Sequence, residues 1–267
     1  IDNGVNWIKT TFLDFPVDKY VIDEGLDLDT NGVGDTVYST DKNGTLIIDD
    51  SGNAHIFYGI MMYTDRHLFD GYINWFPDIN GGIAYWNESF GPDLTSPTIP
   101  IGENSLWYSD MMQDNLIIHS LDFNGDGMSA GIDSPVGHVY NASKTSMPSA
   151  GIDSLGNIYL SYSAYTENID NSSQVFRHIY VVKSEDNGIS WSCPIDVTPH
   201  YDWQGKKECV FGSMSSVVND KIRILYQKDS EPGMAVWGDE DVVNLNDIVY
   251  LEISVSVFDS TNIISFG

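Results

Sequence analysis

Oxygen-bearing side chains are spaced for a divalent cation at two places in this chain. In Asp122-Phe123-Asn124-Gly125-Asp126-Gly127-Met128 the side-chain oxygens fall at loop positions 1, 3 and 5. Glycine takes position 6, the Met128 carbonyl position 7, and Asp133 position 12. Alternate side chains around a glycine-driven turn wrap hard oxygens about one ion, so the chemistry is calcium binding. Asp133 stands where a longer Glu usually closes such a loop, which weakens the site or admits a water. A solvated acidic turn is the competing reading. Asp27, Asp29, Asn31 and Asp35 repeat the pattern around Gly32, but Tyr38 occupies position 12.

Covalent and zinc chemistry find less to work with. Gly127-Met128-Ser129-Ala130-Gly131 has the spacing of a nucleophile elbow, yet it lies inside the calcium loop and not on a strand-to-helix turn. The six histidines show no H-E-x-x-H or paired spacing. Cys193 and Cys209, the two cysteines, flank one connection. They form either a disulfide in an oxidising compartment or two buried thiols. Trp75, Trp107 and Trp203 lie beside turn residues, where a ring either stacks on a sugar face or packs in the core.

Composition narrows the partners. Across 267 residues, Asp+Glu is 39 against Lys+Arg 12, a formal net charge of −27. Such a surface repels phosphate backbones and anionic lipid, and it suits calcium and a salty exterior. Nucleic acid is therefore not expected as a partner. No apolar run reaches the roughly 18 residues that span a bilayer, so no membrane insertion is expected.

The elements that must position these residues are strands. The periodicity is two, in Thr45–Asp49, His55–Ile60, Gly82–Trp86, Asn157–Tyr162, Lys221–Tyr226 and Asp247–Glu252, with Gly, Asn and Asp clusters between. No stretch carries a capped amphipathic helix, and the chain reads as all-β. Leu46–Tyr58 aligns with Ala150–Tyr162, each a strand, a D-x-x-G-N turn and a strand ending near Tyr. Ser215–Tyr226 reads as a third copy with a tighter turn, and Ile83–Trp86, Ile179–Val182 and Ile248–Leu251 follow as further strands. The spacing fits units of roughly 50 residues, with a degenerate one near 105–145.

Ser184-Glu185-Asp186-Asn187-Gly188-Ile189-Ser190-Trp191 reads as a hairpin connection. Asp186 turns its carboxylate onto backbone N–H groups, Asn187-Gly188 supplies positive φ, and Trp191 folds back over the turn. The spacing S-x-D-x-G-x-x-W resembles the Asp-box of sialidase-type β-propellers. Asp2, Gly4 and Trp7 form a second box without its Ser, so the chain is expected to be a piece of a longer polypeptide. The first acidic loop resembles an EF-hand or dockerin loop, and the second the calcium loops of integrin-type propellers.

The string from Ser184 to about Glu252, including Glu208-Cys209-Val210-Phe211-Gly212-Ser213-Met214, is similar to sialidase-like propeller regions of Bacteroidetes surface and secreted proteins, many exported by the type IX pathway. The resemblance implies one β-propeller over residues 1–267, with four to five blades of four antiparallel strands. It also implies an extracellular or cell-surface location. Active sialidases use three clustered arginines with a Tyr–Glu nucleophile pair. This chain has Arg66, Arg177 and Arg223, and it lacks the family's R-I-P motif. The expected function is thus a non-catalytic, calcium-stabilised module for glycan or surface-protein binding. A sialidase-type hydrolase and a purely structural repeat or secretion cargo are the alternatives.

Overall fold

In a computed structural model, the described residues are 5–12, 23, 36–64, 69–71, 74–76, 82–90, 116–119, 140, 142–199, 206–234 and 243–260. They form three antiparallel sheets, none of which closes on itself. Sheet I runs β1 (Thr36–Ile48), β2 (Ala54–Thr64), β4 (Gly82–Asn87) and β5 (Leu116–His119), with β3 (Asn74–Phe76) also paired to β2. Sheet II is β6 (Thr145–Ile152), β7 (Ile158–Asp170), β8 (Val175–Ser184) and β9 (Ile195–Asp196). Sheet III is β10 (Glu208–Met214), β11 (Lys221–Asp229) and β12 (Asp247–Ser254), followed by a 3-10 helix, Val255–Ser260.

The period-two pattern explains the stacking. Along β7 and β8, Ile158, Leu160, Tyr162, Ala164, Tyr180 and Val182 join Phe57, Ile83 and Tyr85 of sheet I. Tyr159, Ile179 and Val181, pointing the other way, join Met214, Ile222, Ile224 and Tyr226 of sheet III. Successive residues of a strand face opposite sides, so sheet II is buried on both faces between its neighbours. The outward faces of the flanking sheets differ: Leu46 and Ile48 on sheet I, and Leu225, Ile248 and Tyr250 on sheet III, are exposed.

The expected D-x-x-G-N turns form twice with one geometry. Asp49 accepts the Asn53 N–H at 2.7 Å and the Asn53 side-chain amide at 3.0 Å. Asp153 accepts the same two groups of Asn157 at 3.0 and 2.8 Å. The supposed third copy differs. Residues 215–220 form a connection, not a strand, and Val217 makes a parallel bridge to Ile152 at the end of β6. The degenerate unit expected near 105–145 lies largely outside the described residues, and Leu116–His119 is the edge strand of sheet I.

The N-terminal box is corrected in part. Asp2 and Gly4 lie outside the described residues, and Trp7 is 87% exposed instead of packed. A box ring folds back only where strands flank the turn, and residues 5–12 form none. Cys193 and Cys209 are thiols with no disulfide between them. Cys209 sits within β10 of sheet III, and Cys193 lies on the segment leading into β9 of sheet II. Burial pushes the Cys209 thiol up to about 12, the behaviour of an inert core residue.

Candidate functional site

Each sheet opens with a bulged strand. Register shifts between Thr40 and Gly44 in β1, Ser146 and Ser149 in β6, and Val210 and Ser213 in β10. A residue with positive φ marks each one: Lys42, Met147 and Phe211. Bulges re-aim side chains and recur beside functional sites. Here β1 lies beside β6 and β6 beside β10, so the three bulged strands are neighbours.

The first bulge aims Asp41 across the seam between sheets I and II. Its Oδ2 accepts the Ser143 N–H at 3.0 Å and the Ser146 hydroxyl, while Oδ1 accepts the Asn43 N–H at 3.0 Å. Gly59 on β2 leaves room for this carboxylate, which any Cβ there would overlap. At the second seam, Met147 and Val210 pack together with Ala142 against Tyr140.

Arg177 and Glu208 complete the cluster, both fully buried. The Arg177 guanidinium donates to the Lys144 carbonyl at 3.1 Å and the Ser143 carbonyl at 2.8 Å, and it lies 4.1 Å over the Tyr165 ring. Glu208 accepts the Arg177 backbone N–H at 2.6 Å and the Tyr140 hydroxyl at 2.9 Å. Burial pushes the Glu208 carboxyl up to about 7, with the Arg177 backbone N–H working against that rise. Burial, then the Glu208 charge, holds the Tyr140 phenol far above its usual range.

This arrangement touches the sialidase chemistry without supplying it. Tyr140 and Glu208 are a Tyr–Glu pair, but a phenol held in its neutral form is a poor nucleophile, and Glu208 has no exposed surface. Arg177 spends Nη1 and Nη2 on backbone carbonyls. Arg223 is on the outward face of sheet III, paired to Glu252 at 3.1 Å. These two arginines lie in different sheets and do not converge, and Arg66 lies outside the described residues.

The hairpin at Ser184–Trp191 forms as expected between β8 and β9. Asp186 accepts the Ser190 N–H at 2.8 Å, the Ser190 hydroxyl at 2.5 Å and the Ser184 hydroxyl at 2.9 Å. Burial alone would raise its pKa, but these donors hold it below the usual carboxylate range. The Gly188 N–H donates to Ser184 Oγ at 2.8 Å, and Asn187 and Gly188 take φ of 61° and 84°. Trp191 is 4% exposed, edge-on to Phe57 and Tyr85 of sheet I at 5.8 Å each.

The calcium ligands expected at Asp122, Asn124, Asp126, Met128 and Asp133, and at Asp27, Asp29, Asn31 and Asp35, all lie outside the described residues. Trp107 and Trp203 lie outside them too. Among the described residues no group of three or more His, Cys, Asp or Glu could hold a metal ion, and no helix is long and apolar enough to cross a membrane. Three antiparallel sheets stacked face to face, joined by bulged neighbouring strands and a closed polar cluster, define an all-β stacked-sheet protein. No protein-family model matches the chain, and no curated protein is significantly similar to it.

Proposed function

We propose that the chain is a non-catalytic β-propeller module of the Asp-box type, extracellular or on the cell surface, calcium-stabilised, and built to bind glycan or protein. The observation that carries this reading is sheet II. It is buried on both faces, its first strand lies between the first strands of its neighbours, and its outer edge ends in the Asp-box hairpin. Propeller blades stack in this way around an axis lined by their first strands. The exposed Leu46, Ile48, Leu225, Ile248 and Tyr250 then mark the faces on which further blades pack. The closed state of the Arg177–Glu208–Tyr140 cluster favours scaffolding over hydrolysis. A glycan-array screen in calcium, repeated in chelator, tests the reading: calcium-dependent binding to defined sugars is expected. A blank array would leave the scaffold or cargo alternative in its place.

A further inference from the structure

A cavity of about 250 Å³ opens where the Asp-box hairpin meets the C-terminal 3-10 helix. Its walls come from both neighbouring sheets: Lys183, Glu185 and Trp191 from the end of β8 and its turn, and Phe258 and Asp259 from the helix that follows β12. Two serines, Ser190 and Ser192, also line it, but their hydroxyls are already committed to Asp186 and to the Cys193 carbonyl. The volume is below the roughly 300–1,000 Å³ of pockets for drug-sized ligands and admits one small ring.

The wall chemistry is mixed in a specific way. Phe258 and Trp191 contribute aromatic surface, and Phe258 is fixed by an edge contact with Tyr159 at 5.9 Å. Lys183 carries donors, one of them placed on Glu185 at 2.5 Å, and its ammonium lies 5.7 Å from the Tyr159 ring centre. Glu185 and the exposed Asp259 carry acceptors. A ligand that fits must offer hydroxyls that both donate and accept, together with an apolar C–H face for the rings. A pyranose does this. An anionic sugar would meet two carboxylates against one ammonium, on a chain of net charge −27.

We infer that this cavity is a binding site for a single uncharged pyranose unit, set at the Asp-box edge of the stack and separate from the bulged strands. The inference rests on the glycan-binding reading above and names a site for it. Trp191 lines the cavity, so its indole reports on occupancy.

The test uses the full 267-residue chain labelled at its indole nitrogens and titrated with methyl glycosides of glucose, galactose, mannose and N-acetylglucosamine, with methyl glucuronide as the anionic control. The Trp191 signal is assigned by its loss in Trp191→Phe. At least one neutral glycoside should shift that signal saturably, the glucuronide should not, and Asp259→Asn and Lys183→Met should each weaken binding about tenfold. Asp259 is exposed and the Lys183 side chain, within β8, is 11% exposed, so circular dichroism of each variant checks that the fold is retained. Array binding that leaves the Trp191 signal unmoved and is unchanged in both variants would remove the site and keep the glycan-binding reading. No binding on array or in titration would remove both.

Discussion

Tyr85 of sheet I reaches across to the Ser184–Trp191 turn of sheet II and closes against Gly188. Its hydroxyl lies 2.7 Å from His55 Nδ1 and 3.3 Å from the Asn187 carbonyl, and any Cβ on Gly188 would overlap its ring. The turn therefore does more than shape its own hairpin, since it also fastens one sheet to the next.

That contact predicts a coupled effect. Gly188→Ala adds a Cβ at φ of 84° and drives it into Tyr85, so a loss of about 2 kcal/mol or more is expected. Tyr85→Leu removes the ring carbons and hydroxyl that this Cβ would overlap, so the alanine should cost less in that background, by about 0.5–1 kcal/mol. Urea unfolding of the four proteins measures the cycle. Strict additivity would mean that the two groups do not meet.

Glu208 predicts an unusual pH dependence. Its carboxyl is raised from 4.5 to about 7 in the fold, so the folded state favours the protonated form. The stabilisation is complete below about 4.5 and is lost as pH climbs through about 7, a change of roughly 3 kcal/mol. Burial is the cause, and it outweighs two donors that favour the carboxylate, the Arg177 backbone N–H at 2.6 Å and the Tyr140 hydroxyl at 2.9 Å. Asp229, opposite Glu208 in the ladder, raises the pKa further. Glu208→Gln mimics the protonated form, so at pH 8 it should be more stable than the native chain, and the gap should shrink toward pH 5. Parallel stability curves over this range would refute the assignment.

Arg177 predicts intolerance of its nearest substitute. Lysine cannot donate to the Ser143 and Lys144 carbonyls together while covering the Tyr165 ring, so Arg177→Lys should cost about 2 kcal/mol or more. Chemical denaturation gives the midpoint. An unchanged midpoint would mean that the guanidinium is not a staple.

Legibility followed the range of the forces involved. The Asp49 and Asp153 turns and the Asp186 hairpin are closed by residues two to four positions away, and each was readable from local spacing. The strands were readable because successive residues face opposite sides of a sheet, so period-two spacing sets Ile158, Leu160 and Tyr162 on one face of β7 and Tyr159 on the other. The polar cluster was not readable. Asp41 meets Ser143 and Ser146, and Tyr140 meets Glu208, across 68 to 105 residues of chain. The bulges that bring them together share no residue type beyond a small one at the end: Gly44, Ser149 and Ser213. Trp7 shows the opposite failure: its spacing fits the motif, yet the ring is 87% exposed and the described residues 5–12 form no strand.

The acidic loop at Asp122–Asp133 predicts a stability that depends on calcium. A ligand that binds only the folded state stabilises it by mass action, by about 2.7 kcal/mol at a hundredfold excess over its dissociation constant. Asp122 supplies the first oxygen of the loop. Asp122→Ala should therefore lower the melting temperature in calcium and leave it unchanged in chelator. Calcium should raise the melting temperature of the native chain and do so less in the variant. The second loop separates its own share through Asp27→Ala, which should add to the first effect if both sites fill. Equal melting of native and variant chains in calcium would show that the loop is an acidic turn with no resident ion.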